Sequence, residues 1–206
     1  MKVTKLTAQI KNPDRINVFI DTKYVCSLTI NQILDEKLKI GSELTEGDSK
    51  RLTKLSEDGK LRARALEWVL LRPRSSRELQ QYLYKKNVEP SLVTAICEEF
   101  IHKNYQNDEY FAKWWVENRT RKLKSNVAIK AELIQKGIAP TIIERTIAET
   151  ITQTQRLKEL IAQKKDMPKY KADPIKFKKY LQGKGFYYSE IEEVLAEESE
   201  DEAGNF

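Results

Sequence analysis

The side chains best placed to do chemistry in this sequence are basic, and they recur at a regular spacing. Arg72, Arg119 and Lys164 stand 47 and then 45 residues apart, each at the expected C-terminal end of a helix. Around them gather Arg74 and Arg77, then Arg121, Lys122 and Lys124, then Lys165 and Lys169. A second set, Lys85 and Lys86, Lys136, and Lys184, comes just before each of three turns. Cations at helix C-termini interact favourably with the helix dipole, worth ~0.3–1 kcal/mol each, which accounts for one base per helix end. Four bases within the six residues 119–124 exceed that account. The pattern reads as a phosphate-facing stripe along one edge of a repeating structure.

Covalent and metal chemistry find no comparable pattern. The two cysteines, Cys26 and Cys97, and the single His102 are far apart, so no zinc or iron ligand spacing exists. No phosphate-cradling glycine loop and no serine–histidine–acid set can be assembled. Cofactors and metals are therefore expected to be absent, and a nuclease is the weakest reading. Trp114, Tyr82, Tyr84, Tyr187 and Tyr188 are candidates for base stacking, although such rings more often pack between repeats.

Composition sets the same direction. The 206 residues are 40% hydrophobic and 33% charged, with a net charge of +6. Residues 190–206 contribute eight of the 31 acids and no base, leaving 37 bases against 23 acids in the rest of the chain. That asymmetry favours a polyanionic partner, with an acidic end able to compete for the same surface or to serve as a solvated helix face. No signal segment and no run of about 18 apolar residues is present. A cytoplasmic protein without membrane contact is expected.

The elements that must position the bases form a period near 48, in the range of helical repeat arrays. Gln80–Val88, Lys130–Ile138 and Lys178–Phe186 are three copies of one pattern, each followed by a second short helix. The helix before each turn opens at Ser75, Ser125 and Asp173, with Glu78 completing a capping box in the first copy. The helix after it is expected to open at Ser91, Thr141 and Ser189, with Glu144 and Glu192 three residues into two of them. Asn87, Gly137 and Gly185 lie between, residues that tolerate the left-handed conformation of a C′ position. Leu79 and Leu83, Ile129 and Leu133, Phe177 and Leu181 recur at i and i+4 on one helix face. Cys97 occupies the slot of Ile147 and Leu195 and so reads as core.

Before the repeats, residues 3–10, 15–21 and 24–28 have strand grammar, separated by turn-forming Asn12-Pro13-Asp14 and Asp21-Thr22-Lys23. Two short helices, about 30–37 and 45–57, should follow, with loops closed by Gly41 and Gly59 and a capping-box variant at Thr45 and Asp48. The expected fold is mainly α: three tandem three-helix repeats in an elongated, curved array behind a small N-terminal β meander. The boundaries fall at 1–58 for the meander and short helices, 59–106, 107–152 and 153–199 for the repeats, and 200–206 for an acidic tail.

At this level the sequence resembles one family. Glu132-Leu133-Ile134-Gln135-Lys136-Gly137-Ile138, preceded by Tyr110-Phe111-Ala112 and Arg119, looks like the central motif of the RecX regulatory proteins of bacteria. Ala65-Leu66, Arg72, Ser75-Ser76, Glu78-Leu79 and Leu83 are similar to that family's opening repeat. Asn107-Asp108-Glu109-Tyr110 resembles the entry to its middle repeat, and Asn17–Asp21 before Tyr24 looks like its leader. The likeness covers roughly residues 60–198. Asn87 departs from the family's turn glycine, and the acidic stretch 197–202 lies outside its motifs.

The resemblance implies a non-enzymatic modulator that binds the RecA filament on single-stranded DNA. Its implied effect is to inhibit the filament's ATPase, coprotease and strand-exchange activities, within homologous recombination, DNA repair and the SOS response. It also implies direct binding to DNA, single-stranded and double-stranded; the basic stripe, meeting phosphates, makes that binding sequence-independent, and the stacked repeats point to a monomer. The charge pattern nominates Arg72, Arg74, Arg77, Lys85, Lys86, Arg119, Arg121, Lys122, Lys124, Lys136, Lys164 and Lys165 as the contact residues. The competing reading is a helix-turn-helix-like DNA-binding protein acting without RecA. Against it stand acidic residues on the candidate recognition helices, Glu98, Glu99, Glu144 and Glu149 among them, where base readout would use Arg, Lys, Asn or Gln.

Overall fold

Alternating apolar residues at the N-terminus build three antiparallel strands, β1 (Val3–Ala8), β2 (Arg15–Ile20) and β3 (Lys23–Thr29), in the order β1-β2-β3. The computed structural model describes residues 1–10, 12–149 and 152–203. Asp21 and Thr22 link β2 to β3 with positive φ values of 46° and 72°, the two-residue hairpin geometry that matches strand twist. Val18, Ile20, Cys26 and Leu28 point to one face and are fully or almost fully buried with Val3, Leu38 and Leu52.

Helix α1 (Ile30–Asp35) opens on a reciprocal box in which the Thr29 hydroxyl accepts from the Gln32 amide and the Gln32 side chain accepts from the Thr29 amide. Helix α2 (Glu46–Leu70) has the expected box at its start. Thr45 Oγ1 accepts from Asp48 N at 3.1 Å, and Asp48 Oδ2 accepts from Thr45 N at 3.0 Å. The backbone hydrogen bond from Thr45, then its hydroxyl, hold the Asp48 carboxyl below its ordinary value.

Gly59 does not close a loop. Helix α2 runs through it for 25 residues, so the expected end at residue 57 and the expected boundary at 58/59 both fall inside one helix. The cause is local space: a Cβ at Gly59 would lie 3.1 Å from Gln32 Nε2 and 3.7 Å from Arg15 Nη1. A mid-helix glycine costs ~1 kcal/mol in propensity. It leaves room for the Gln32 side chain, while the buried Arg15 guanidinium, at ordinary contact distance, donates to the Ser27 carbonyl and to the Ser27 and Ser56 hydroxyls.

Residues Met1–Leu70 form one compact unit and Leu71–Phe206 a second. The second holds α3 (Ser76–Tyr84), α4 (Pro90–His102), α5 (Asp108–Thr120), α6 (Asn126–Gln135), α7 (Pro140–Ala148), α8 (Gln153–Lys164), α9 (Pro168–Lys171), α10 (Pro174–Gly183) and α11 (Tyr188–Ala203). Repeat 1 comprises α3 and α4, repeat 2 α5 to α7, and repeat 3 α8 to α11. The short helix α9 was not expected. Pro168 at its first position, where a missing N–H is harmless, is the signal that starts it. Helix α11 carries the backbone of residues 200–203, and the remainder of the expected tail, 204–206, lies outside the described residues.

The caps of the helices before the turns stand where the sequence placed them. Ser75, Ser125 and Asp173 accept from the amides of Glu78, Ala128 and Lys176. The following helices differ from expectation in all three copies. Helix α11 begins at Tyr188, which puts Ser189 inside its first turn, and Glu190 accepts from the Tyr187 amide at 2.9 Å. Glu89 and Ala139 hold the N-cap positions without a side-chain bond, and Pro90 and Pro140 take N1, displacing Ser91 and Thr141 into the helix. Proline's fixed φ organises that first turn better than a hydroxyl one residue on. Glu144 and Glu192 accordingly reach sideways, to Lys130 at 3.6 Å and Lys178 at 2.6 Å on the preceding helices. Asn87, Gly137 and Gly185 all take positive φ, at 55°, 78° and 94°.

Candidate polyanion-binding surface

The repeats are joined by one construction used twice. The hydroxyl of the capping serine accepts a bond from its own helix and donates one to the turn of the next repeat. Ser75 Oγ donates to the Lys136 carbonyl at 2.8 Å, and Ser125 Oγ donates to the Gly185 carbonyl at 2.7 Å. Both serines are completely buried. Each uses donor and acceptor, so no polar atom of the hydroxyl is left without a partner.

This packing explains why the second and third turns carry glycine. A Cβ on Gly137 would lie 3.0 Å from both Cβ and Cδ of Arg77. On Gly185 it would lie 2.5 Å from Ser125 Oγ and 2.8 Å from Ala128 Cβ. Asn87, in the first turn of the unit, is exposed and has no earlier capping serine of this unit to meet.

The basic residues nominated from sequence separate into two groups around these joints. Arg72 donates to both carboxylate oxygens of Glu78, at 3.2 and 3.3 Å, and Lys136 reaches the same carboxylate at 2.7 Å. Arg119 and Lys124 do the same to Glu132, at 2.5 and 2.6 Å, and Trp115 Nε1 donates to it at 2.9 Å. Tryptophan faces complete the arrangement. The Arg119 guanidinium lies 4.1 Å from the Trp115 ring centre, Lys136 Nζ 5.1 Å from it, and Arg72 5.5 Å from Trp114. Burial alone would raise the Glu78 carboxyl, but the hydrogen bonds from Lys136 and Arg72 outweigh it and hold the group below its ordinary value. Glu132 follows the same logic, with burial opposed by Lys124 and Arg119.

Two of the four bases at 119–124 are thus turned inward. Arg121 is mostly exposed, 3.7 Å from Glu117, and Lys122 is exposed as well. The loop is turned by Leu123, at a φ of 52°, whose side chain is buried in the core of repeat 3 with Leu157, Leu160 and Phe177. Replacing all four bases would strip Glu132 of both its cations, so such a variant loses packing as well as charge. Trp114 packs on Phe111 and Trp115 with ring centres 6.0 Å apart, beneath Arg72, rather than standing free for stacking.

The remaining nominated residues face solvent to different degrees. Arg77, Lys85 and Lys86 are exposed, while Arg74, Lys164 and Lys165 are half-buried. Lys86 Nζ lies 5.8 Å from the Tyr82 ring centre. What the sequence reading missed is the identity of one slot. Tyr82, Glu132 and Tyr180 are equivalent, 50 and 48 residues apart, and so are Lys86, Lys136 and Lys184. The middle repeat has an acid where the outer two have an aromatic ring, and that acid draws in Arg119 and Lys124.

Among the described residues no three His, Cys, Asp or Glu side chains converge as a metal set. Cys26 and Cys97 are buried free thiols, and burial pushes both up from their ordinary value. No helix among the described residues is long and apolar enough to cross a membrane.

A small β meander unit followed along the chain by a helical repeat unit, whose repeats are joined by buried serines, is the class these features define. The comparisons make it specific. Residues 1–45 match the regulatory protein RecX N-terminal domain, and residues 107–147 match the RecX second three-helix domain. A regulatory protein RecX of Bacillus pumilus is 30% identical over 205 residues, covering 95% of this chain and 76% of that protein. One from Listeria monocytogenes is 32% identical over 75% of this chain, and the match spans 58% of its own length. A crystal structure of regulatory protein RecX superposes with a TM-score of 0.72 at 22% identity, covering 95% of this chain and 98% of that one. RecX from Lactobacillus salivarius gives a TM-score of 0.58 at 23% identity over 68% of this chain and 95% of that one. The chain belongs to the RecX family of regulatory proteins.

Proposed function

We propose that this protein is a non-enzymatic regulator of the RecA recombinase, acting as a monomer in the cytoplasm on the filament that RecA forms on single-stranded DNA. Its effect is to inhibit the filament's ATPase, coprotease and strand-exchange activities, in recombination, DNA repair and the SOS response. Membership of the RecX family carries this reading. The repeat joints support it physically. Equivalent faces held at fixed spacing by buried bonds suit a partner that is itself periodic, because each added contact after the first is intramolecular. The modules that engage the filament are repeats 1, 2 and 3.

Accessory DNA binding belongs to the cations not already committed to carboxylates, with affinity that is independent of sequence and steep in salt. The helix-turn-helix reading is disfavoured by Glu144 and Glu192, which tie the exposed sides of α7 and α11 to lysines of the preceding helices. The test is ATP hydrolysis by preformed RecA–single-stranded DNA filaments, with and without this protein. Suppression at protein concentrations below that of RecA is expected. Hydrolysis unchanged at a molar excess would reject the reading.

A further inference from the structure

The charge of repeat 3 is organised differently from that of repeat 2. Residues 164–184 contain eight lysines and two aspartates. Lys169 Nζ lies 4.6 Å from the Tyr170 ring centre, Tyr170 lies 5.1 Å from Tyr180 at 33° between planes, and Lys184 Nζ lies 5.5 Å from Tyr180. Two ammonium groups therefore bracket a pair of contiguous rings. Lys176, Tyr180 and Lys184 also follow one another at i, i+4 and i+8, which lines them along one side of α10 over ~12 Å. Among the described residues no carboxylate stands within ion-pair distance of Lys169, Lys176 or Lys184. In repeat 2 the equivalent slot holds Glu132, which engages Arg119 and Lys124.

We infer that this lysine–tyrosine track of repeat 3 is the principal site for a single-stranded polynucleotide. The inference rests on the accessory DNA binding proposed above and assigns it a place and a ligand form. Unpaired cations supply the phosphate contacts, and the half-buried Tyr180 offers a ring to an unstacked base. A duplex meets the same lysines with phosphates alone, since its bases are stacked and paired inside. An acidic polypeptide would gain the charge and lose the stacking. The strand is the ligand that uses both features.

The full-length protein is titrated with a fluorescent oligo(dT) strand and with a duplex of equal length, over a series of salt concentrations, with folding followed by circular dichroism. The double variant Lys169→Ser, Lys184→Ser should weaken strand binding by about tenfold. It should also make the plot of log affinity against log salt shallower by about 1.4, from ~0.7 per contact on single strands. Tyr180→Leu should weaken strand binding about tenfold and duplex binding hardly at all, whereas Tyr180→Phe should bind as the parent protein does. The inference is overturned if the double lysine variant keeps the parent affinity and salt slope. It is equally overturned if polyglutamate competes as well as unlabelled oligo(dT), or if Tyr180→Leu folds and binds like Tyr180→Phe. A parent protein that suppresses RecA ATP hydrolysis yet binds no oligonucleotide would overturn this inference and leave the regulatory reading intact. Loss of strand binding in these variants, with no effect of the parent on hydrolysis, would support the inference and reject that reading.

Discussion

The joint between repeats 1 and 2 and the joint between repeats 2 and 3 share a centre and differ in everything around it. In both, a buried capping serine donates to the next repeat's turn. Around Ser75 the contacts are ionic and hydroxylic. Glu78 holds Lys136 and Arg72, while Ser76 is fixed by Asp108 and Gln106. Around Ser125 they are mainly amides and a buried guanidinium. The Asn126 amide donates to Gln153 at 2.7 Å, Gln153 in turn donates to Glu190, and the fully buried Arg156 donates to the Asn126 side chain. The backbone geometry at the centre needs one serine and one residue without a Cβ. The periphery only has to satisfy the polar groups that the joint buries, and several chemistries do that.

The largest effect should come from the tighter turn. Gly185→Ala adds a Cβ 2.5 Å from Ser125 Oγ at a φ of 94°, so the joint must open or strain. Unfavourable φ adds ~1–2 kcal/mol and overpacking a further ~1–3 kcal/mol. A loss of about 3 kcal/mol is expected in urea unfolding. Gly137→Ala, with its nearest contact at 3.0 Å, should lose about 2 kcal/mol. Equal losses at the two positions would contradict the contact geometry.

Removing the serines tests the shared centre. Ser75→Ala and Ser125→Ala each delete an N-cap and leave a part-buried carbonyl without its donor, so a cost of about 2 kcal/mol is expected at both. Asp173, the third cap, is exposed, and among the described residues its side chain bonds to its own helix alone, at Lys176 N. Asp173→Ala should cost about 1 kcal/mol, the value of a cap alone. A serine variant no worse than Asp173→Ala would mean the bond across the joint contributes nothing.

What could be read from the sequence follows from how far each cause lies along the chain. Ser75, Ser125 and the three turns were readable because caps and left-handed turns are decided within four residues. The helices α4, α7 and α11 all begin before the expected caps; in α4 and α7 proline at the first position prevails over the serine or threonine beside it, and in α11 Glu190 caps the Tyr187 amide instead. Gly59 was misread because its cause, Gln32, is distant in sequence and adjacent only in the fold. The candidate surface was readable as a list of bases and unreadable as a distribution of free charge. Only folding shows that Glu78 of repeat 1 engages Lys136 of repeat 2, or that Glu132 removes Arg119 and Lys124 from the stripe. The 50- and 48-residue equivalence of Tyr82, Glu132 and Tyr180 was the available clue to that second effect.

The ionic periphery should make one joint acid-sensitive. The Glu78 carboxyl is held below its ordinary value in the folded protein. Its contribution is therefore fully present above the unfolded value of ~4.3 and is lost as pH falls through the lower folded value. Glu78→Gln removes it at any pH, costing about 1–2 kcal/mol near neutrality, as a charged hydrogen bond does. Parent and variant, unfolded in urea over a series of pH values, should differ most near pH 7 and draw together as pH falls below the unfolded value. A difference that persists at low pH would place the effect in shape rather than charge.

The smallest effect sharpens the comparison most, because it uses one chemical exchange at two equivalent turns. Asn87 and Gly137 both hold left-handed φ, at 55° and 78°, and Asn is the non-glycine residue best suited to that region. If backbone conformation alone chose the residue, exchanging Asn and Gly would be nearly neutral at either site. At position 87, where the side chain is exposed, Asn87→Gly should change stability by no more than about 0.5 kcal/mol, within the range of ordinary surface substitutions. At position 137 the Cβ of Gly137→Asn meets Arg77 at 3.0 Å, and a loss of about 1–2 kcal/mol is expected from overpacking. Thermal melting of the two single variants measures both. A neutral Gly137→Asn would show that Arg77 yields freely and that the glycine serves φ alone. A clear loss confined to position 137 would locate the constraint in the packing of one repeat's turn on the preceding repeat.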